Sequence, residues 1–180
     1  MKFLITILSF IQVTSFALFA QEKSELSRID KIISEAGKLI RYDDYDLFDI
    51  KGTYGMGKLE TKLRVVNNGS IPYQYFVLIS RRTKYDTKRA SISEDELPEI
   101  LEAFDSLVKM STAEKNVSNY AEIKYVSEDG FQIGYYVEKG KSHWFVTLEK
   151  YGSGNTFFLK KPESFKRVLI AAQTKIKDLQ

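Results

Sequence analysis

A chain of 180 residues with a net charge of +3, one histidine and no cysteine excludes several kinds of chemistry at the outset. Disulfide staples and zinc sites built on thiolates are ruled out, and 27 basic against 24 acidic residues is too even a balance to imply a polyanion partner by itself. The length beyond an apolar N-terminus suits one domain with one sizeable core.

The chain opens MKFLITILSFIQVTSFALFAQEK. Lys2 supplies a positive start, residues 3–13 an apolar stretch and Ala20 a small residue at its end, the pattern of a secretory signal peptide over residues 1–20. Cleavage after Ala20 is expected, leaving Gln21 as the new N-terminus of a secreted or periplasmic protein with no stable membrane insertion. A retained anchor is the alternative. Ser9, Gln12, Thr14 and Ser15 interrupt the segment, which barely reaches the ~20 apolar residues a bilayer span needs.

Over residues 24–42, Leu26, Ile29, Ile33, Ala36 and Ile40 recur at spacings of three and four, which predicts an N-terminal helix assigned to residues 21–44. DDYD then reads as a turn. Beyond it the apolar period shifts to two. In KLETKLRVVNNG, Leu59, Leu63 and Val65 alternate with polar residues as a half-buried strand, and Asn68-Gly69 offers a hairpin turn. IPYQYFVLIS is a strand apolar on both faces, KRASIS a weaker one, and Pro98 opens a helix carrying Ile100, Leu101, Phe104, Leu107 and Val108 on one side. YAEIKYVSEDG, FQIGYYVEKG, KSHWFVTLEKYG and NTFFLKK are four further strands, and Pro162 opens a last helix with Phe165, Val168, Leu169, Ala172, Ile176 and Leu179 aligned.

The expected fold is therefore α+β: an N-terminal helix, then a duplicated unit of four antiparallel strands plus one helix. The units span residues 45–114 and 115–180 and together form one domain. Lys84-Tyr85 and Lys150-Tyr151 fall at matching points of the two units. Across residues 45–179 this succession resembles, in topology, the Whirly and PUR single-strand nucleic-acid binders, and more loosely the repeats of the TATA-binding protein. The N-terminal half is also similar to the helix-then-sheet arrangement of type III secretion chaperones. The first resemblance implies a sheet that holds single strands.

No residue set reads as catalytic. His143 lies on the mixed face of its strand with no second ligand for a metal, while its neighbour Trp144 belongs with Val146 and Leu148 on the aliphatic face, beneath the C-terminal helix. Asp43, Asp44 and Asp46 crowd enough to suggest a hard cation, but they lack the glycine and late glutamate of an EF-hand and read better as a solvated turn. Ser93 through Glu96 is a capping box, and the glycines of YGMGK and YGSGN are turns without the spacing of a phosphate loop. No cofactor or metal is implied.

Two groups suggest binding. In RRTKYDTKR the cations Arg81, Arg82, Lys84, Lys88 and Arg89 surround Tyr85, a combination suited to single strands; the competing reading is a charged hairpin guarding a sheet edge. Tyr136, Phe145 and Phe158 are the ring of each aromatic pair turned away from the helix side, and they predict an apolar patch that the N-terminal helix is the simplest element to cover. Together these features predict an exported, non-catalytic binding domain whose partner is a protein or cell-envelope component. A single-stranded nucleic-acid module is the second reading and an enzyme of unknown class the third. A homodimer is compatible with either binding reading.

Overall fold

The computed structural model describes residues 26–53, 55–69, 72–113 and 120–180. The expected signal peptide, the first five residues of the helix assigned to 21–44, and residues 114–119, where the two expected units meet, lie outside the described residues.

The fold mixes helices with two antiparallel sheets. A short helix α1 (Arg28–Ile33) is followed by β1 (Arg41–Asp46), β2 (Ile50–Lys51), β3 (Lys58–Asn67), β4 (Gln74–Arg82), β5 (Thr87–Ser93) and helix α2 (Leu97–Ala113). Then come β6 (Ala121–Val126), β7 (Gln132–Glu138), β8 (Lys141–Thr147), β9 (Thr156–Phe158) and helix α3 (Glu163–Leu179). The first sheet runs β1-β3-β4-β5, with β2 on the far end of β3, and the second runs β6-β7-β8-β9. Each half thus ends its run of strands with a 17-residue helix.

Alternation does the local work. Leu59, Thr61, Leu63 and Val65 are buried on one side of β3 while Glu60, Lys62 and Arg64 face outward, as period-two patterning requires. Strand β4 is apolar on both sides because both are covered. Val77 and Ile79 enter the main core, whereas Phe76 and Leu78 join Val66 in a smaller cluster under Ile29 of α1. Ser93 caps the start of α2 through a 3-10 turn (Glu94–Glu96), and the Glu96 carboxylate returns to the Ser93 backbone N–H.

Several expectations are corrected. The N-terminal helix stops at Ile33 although the apolar spacing continues to Ile40. The Ser34 hydroxyl donates to the Asp30 carbonyl, Gly37 turns the chain at φ +76°, and Ile40 reaches the Val66 cluster from extended backbone. DDYD is no turn. It is the body of β1, paired with β3 from Arg41↔Asn67 to Asp46↔Lys62, so the first sheet begins four residues ahead of the boundary placed at 45.

The helices also cross over. Helix α2, from the first half, packs on β6 and β7 of the second sheet, while α3 packs on β2, β3 and β4 of the first. Trp144 accordingly lies under α2, with its ring 5.6 Å from Phe104 and 5.2 Å from Tyr135, rather than under the C-terminal helix. One core cluster takes residues from both sheets and both long helices. The sheets are joined at a shared edge, where Gly52 bridges Leu159 and the Thr53 N–H donates to the Phe158 carbonyl at 2.9 Å. A side chain at Gly52 would strike the Phe157 ring, so the junction requires a residue without one.

Candidate binding surface

On the outer side of the second sheet, pairing sets Glu122 beside Tyr136, Tyr136 beside His143 and Phe145 beside Phe158. The structure therefore gathers Tyr136, Phe145 and Phe158 on one face, as the aromatic pairs predict. The Tyr136 ring stacks on His143 at 4.9 Å and 16°, and on Tyr120 at 5.6 Å and 25°; Phe158 meets it edge-on at 6.2 Å. Phe145 is no part of the surface. It is 6% exposed, buried although it shares that face with Phe158.

Tyr120 and His143 flank β7 from opposite sides, through β6 and β8, so both faces of Tyr136 are occupied. Near-parallel rings this close overlap in the offset-stacked manner. The Tyr120 hydroxyl donates to Glu122, which also pairs with Lys124; those two contacts, the hydroxyl first, hold the Glu122 carboxyl below the usual range. The surface thus offers ring edges, hydroxyls and an imidazole, the amphipathic mixture enriched at macromolecular interfaces. It offers few free ring faces on which bases would stack.

No described helix lies over this array: α1 contacts β5, α2 the inner side of β6 and β7, and α3 the first sheet. The expectation that the N-terminal helix covers it is overturned, because Ile29 and its neighbours find their apolar partners in Val66, Phe76 and Leu78 instead.

The five cations of the hairpin do not form one site. Strand alternation sends Arg81 and Lys88 to the inner side of the first sheet and Arg82 and Arg89 to the outer side. Arg81 donates to the carbonyls of Gly154 and Thr156 at 3.3 and 3.4 Å, and Lys88 pairs with Asp86 at 2.9 Å and Glu149 at 3.1 Å. These two residues tie the β4–β5 hairpin to the loop between β8 and β9. Arg82, Lys84, Tyr85 and Arg89 remain exposed.

Other candidates resolve into structural roles. Asp44 accepts a two-pronged contact from Arg64 at 2.7 and 2.8 Å, which holds its carboxyl below the usual range, while Asp43 pairs with Arg41 and Asp46 with Lys62. Among the described residues no group of three acids or histidines is arranged to hold a metal ion. A groove of about 860 Å³ runs between α1, β5 and the turns near Asp129 and Lys150. Its acids and bases are largely engaged: Arg28 with Asp95 and Glu128, and Asp129 with the Ser91 hydroxyl and the Arg28 backbone N–H.

Sequence reasoning missed Tyr120 and Lys124. The signal was available in the alternation of YAEIKYV, but only the pairing of β6 with β7 shows that Tyr120 reaches Tyr136. No family model, curated protein or solved structure matches this chain.

Proposed function

We propose that this protein is an exported, non-catalytic binding domain of the cell envelope or medium. Its partner, a protein or envelope component, meets the outer face of the second sheet around Tyr120, Tyr136, His143 and Phe158. The observation that carries this reading is the stacked array of rings on a sheet face over which no described helix packs. The signal-like N-terminus supports export.

The single-strand reading rests on the topological resemblance and on the exposed hairpin cations. Occupied ring faces on the sheet favour the first reading over it, because strand binding uses open faces as stacking platforms. An enzyme stands third, carried by carboxylates alone. The matching order of strands and helix in the two halves supports an origin by duplication.

The test is capture from envelope extract with the exported protein and with Tyr136→Ser/His143→Ser. The double variant keeps the buried Phe145 and is expected to lose the captured component selectively. An unchanged captured set, with both proteins folded by circular dichroism, overturns the assignment of this face. Intact mass of the exported species, starting at Gln21, checks the export step.

A further inference from the structure

The hairpin and the β8–β9 loop are fastened side by side. Besides the Arg81 and Lys88 contacts, the Arg89 backbone N–H donates to Glu149 at 3.4 Å, and Asn155 closes its own loop by donating to the Glu149 and Tyr151 carbonyls. Each loop ends in a lysine lying against the ring of the following tyrosine, Lys84 on Tyr85 and Lys150 on Tyr151, both at 5.2 Å. Tyr85 is 87% exposed and Tyr151 49%. Around the hairpin apex stand Arg81, Arg82, Lys84, Lys88 and Arg89, with Asp86 the one acid of residues 81–89; Glu149 faces Lys88, Asp44 lies within the field of Arg89, and Lys150 rests against the Glu128–Gly130 turn. Arg82, Lys84 and Arg89 make no ion pair among the described residues.

We infer that this double loop tip docks on an anionic lipid surface, the two tyrosines entering the headgroup layer and the surrounding cations meeting lipid phosphates. The inference rests on the envelope location proposed above but uses a different surface from the aromatic sheet face. Tyrosine suits the boundary between headgroups and hydrocarbon because one end of its ring is wet and the other apolar, and lysine stems reach outward beside it. The surplus of cations is the complement of an anionic leaflet. Shape separates the occupants: Tyr85 and Lys84 stand at the apex of the hairpin turn, outside the groove that Arg89, Lys150 and Tyr151 border beside α1, and a single exposed apical ring offers no run of successive stacking faces for a single strand. No described helix is long and apolar enough to cross a membrane.

The experiment is flotation of the exported protein with vesicles of phosphatidylcholine alone and of phosphatidylcholine mixed with phosphatidylglycerol, at several salt concentrations. Any contribution of a retained apolar N-terminus is common to both vesicle types and to every variant. Binding is expected only with phosphatidylglycerol and should weaken as salt rises. Arg82→Ser/Lys84→Ser/Arg89→Ser should lower partitioning on the order of 100-fold, about fivefold for each cation near an anionic surface. Tyr85→Ser/Tyr151→Ser should lower it without changing the salt slope. Equal binding to both vesicle types, or no effect of the triple variant, overturns the inference. Binding to labelled oligodeoxythymidylate without binding to vesicles overturns it in favour of nucleic acid. The envelope capture by the Tyr136 face is read separately, so either assignment fails without the other.

Discussion

Replacing Trp144 by alanine tests how the two halves interlock. The ring is 9% exposed and contacts Phe104 of α2 and Tyr135 of β7, so truncation empties a large volume at the point where the first-half helix meets the second-half sheet. Removal of a buried large aromatic costs about 3 to 5 kcal/mol. With a urea slope of ~2 kcal/mol per molar, the midpoint should fall by about 2 M. His143→Ala, one residue away, removes a half-exposed ring stacked on Tyr136, a cross-strand pair worth about 0.2 to 1 kcal/mol. Far-ultraviolet circular dichroism is the assay, because Trp144 is the only tryptophan and its removal abolishes the fluorescence probe. Comparable midpoint shifts for the two variants would refute the assignment of opposite faces in β8 and of α2 as the cover.

The buried Glu96 carboxylate accepts from the Ser93 backbone N–H and hydroxyl and from the Glu128 backbone N–H, so Glu96→Ala should cost about 2 to 4 kcal/mol in denaturant melts by leaving buried donors unpaired. At Gly134 an added Cβ would lie 2.4 Å from the Ile123 carbonyl oxygen and 2.6 Å from the Lys124 Cβ; Gly134→Ala should push β6 from β7, cost about 1 to 3 kcal/mol and speed amide exchange in β6. Because Arg64 depresses the Asp44 carboxyl in the fold, its stabilising contribution is present above the ordinary aspartate range and is lost as pH falls through the depressed value. Asp44→Asn should cost about 1 kcal/mol near neutrality, and the difference from the parent protein should vanish in strong acid when urea melts are compared across pH.

What the sequence made legible was set by local periodicity. The burial of Leu59, Leu63 and Val65, the capping box at Ser93 and the opposite faces of His143 and Trp144 follow from a period of two or from helix-start chemistry, both of which act between near neighbours. The failures lie where distant partners decide. RYDDYD crowds three acids into positions 43, 44 and 46 and reads as a turn, yet Arg64 and Lys62 on β3 supply the charges that let it run as a strand. The stripe from Ile29 to Ile40 fits a helix, but its cover is the small apolar patch of Phe76 and Leu78, which a helix of only six residues suffices to fill. The exchange of α2 and α3 between sheets leaves no mark in the apolar spacing, since either sheet offers an equivalent inner face.

Legibility of the candidate surface divides in the same way. Period two places Tyr136, Phe145 and Phe158 together, but it shows neither that Tyr120 joins the array nor that Phe145 is buried. Counting cations in RRTKYDTKR gives five, while the fold spends Arg81 and Lys88 on holding two loops together.

The most direct measurement is photo-crosslinking in intact cells that express the full chain, with a benzophenone amino acid placed at Tyr136 in one strain and at Ile170, an exposed apolar residue on α3, in another. A discrete adduct is expected from position 136 and none of the same mass from position 170. Identical adducts from both positions, or an adduct from 170 alone, would contradict the assignment of the second sheet's outer face as the binding surface.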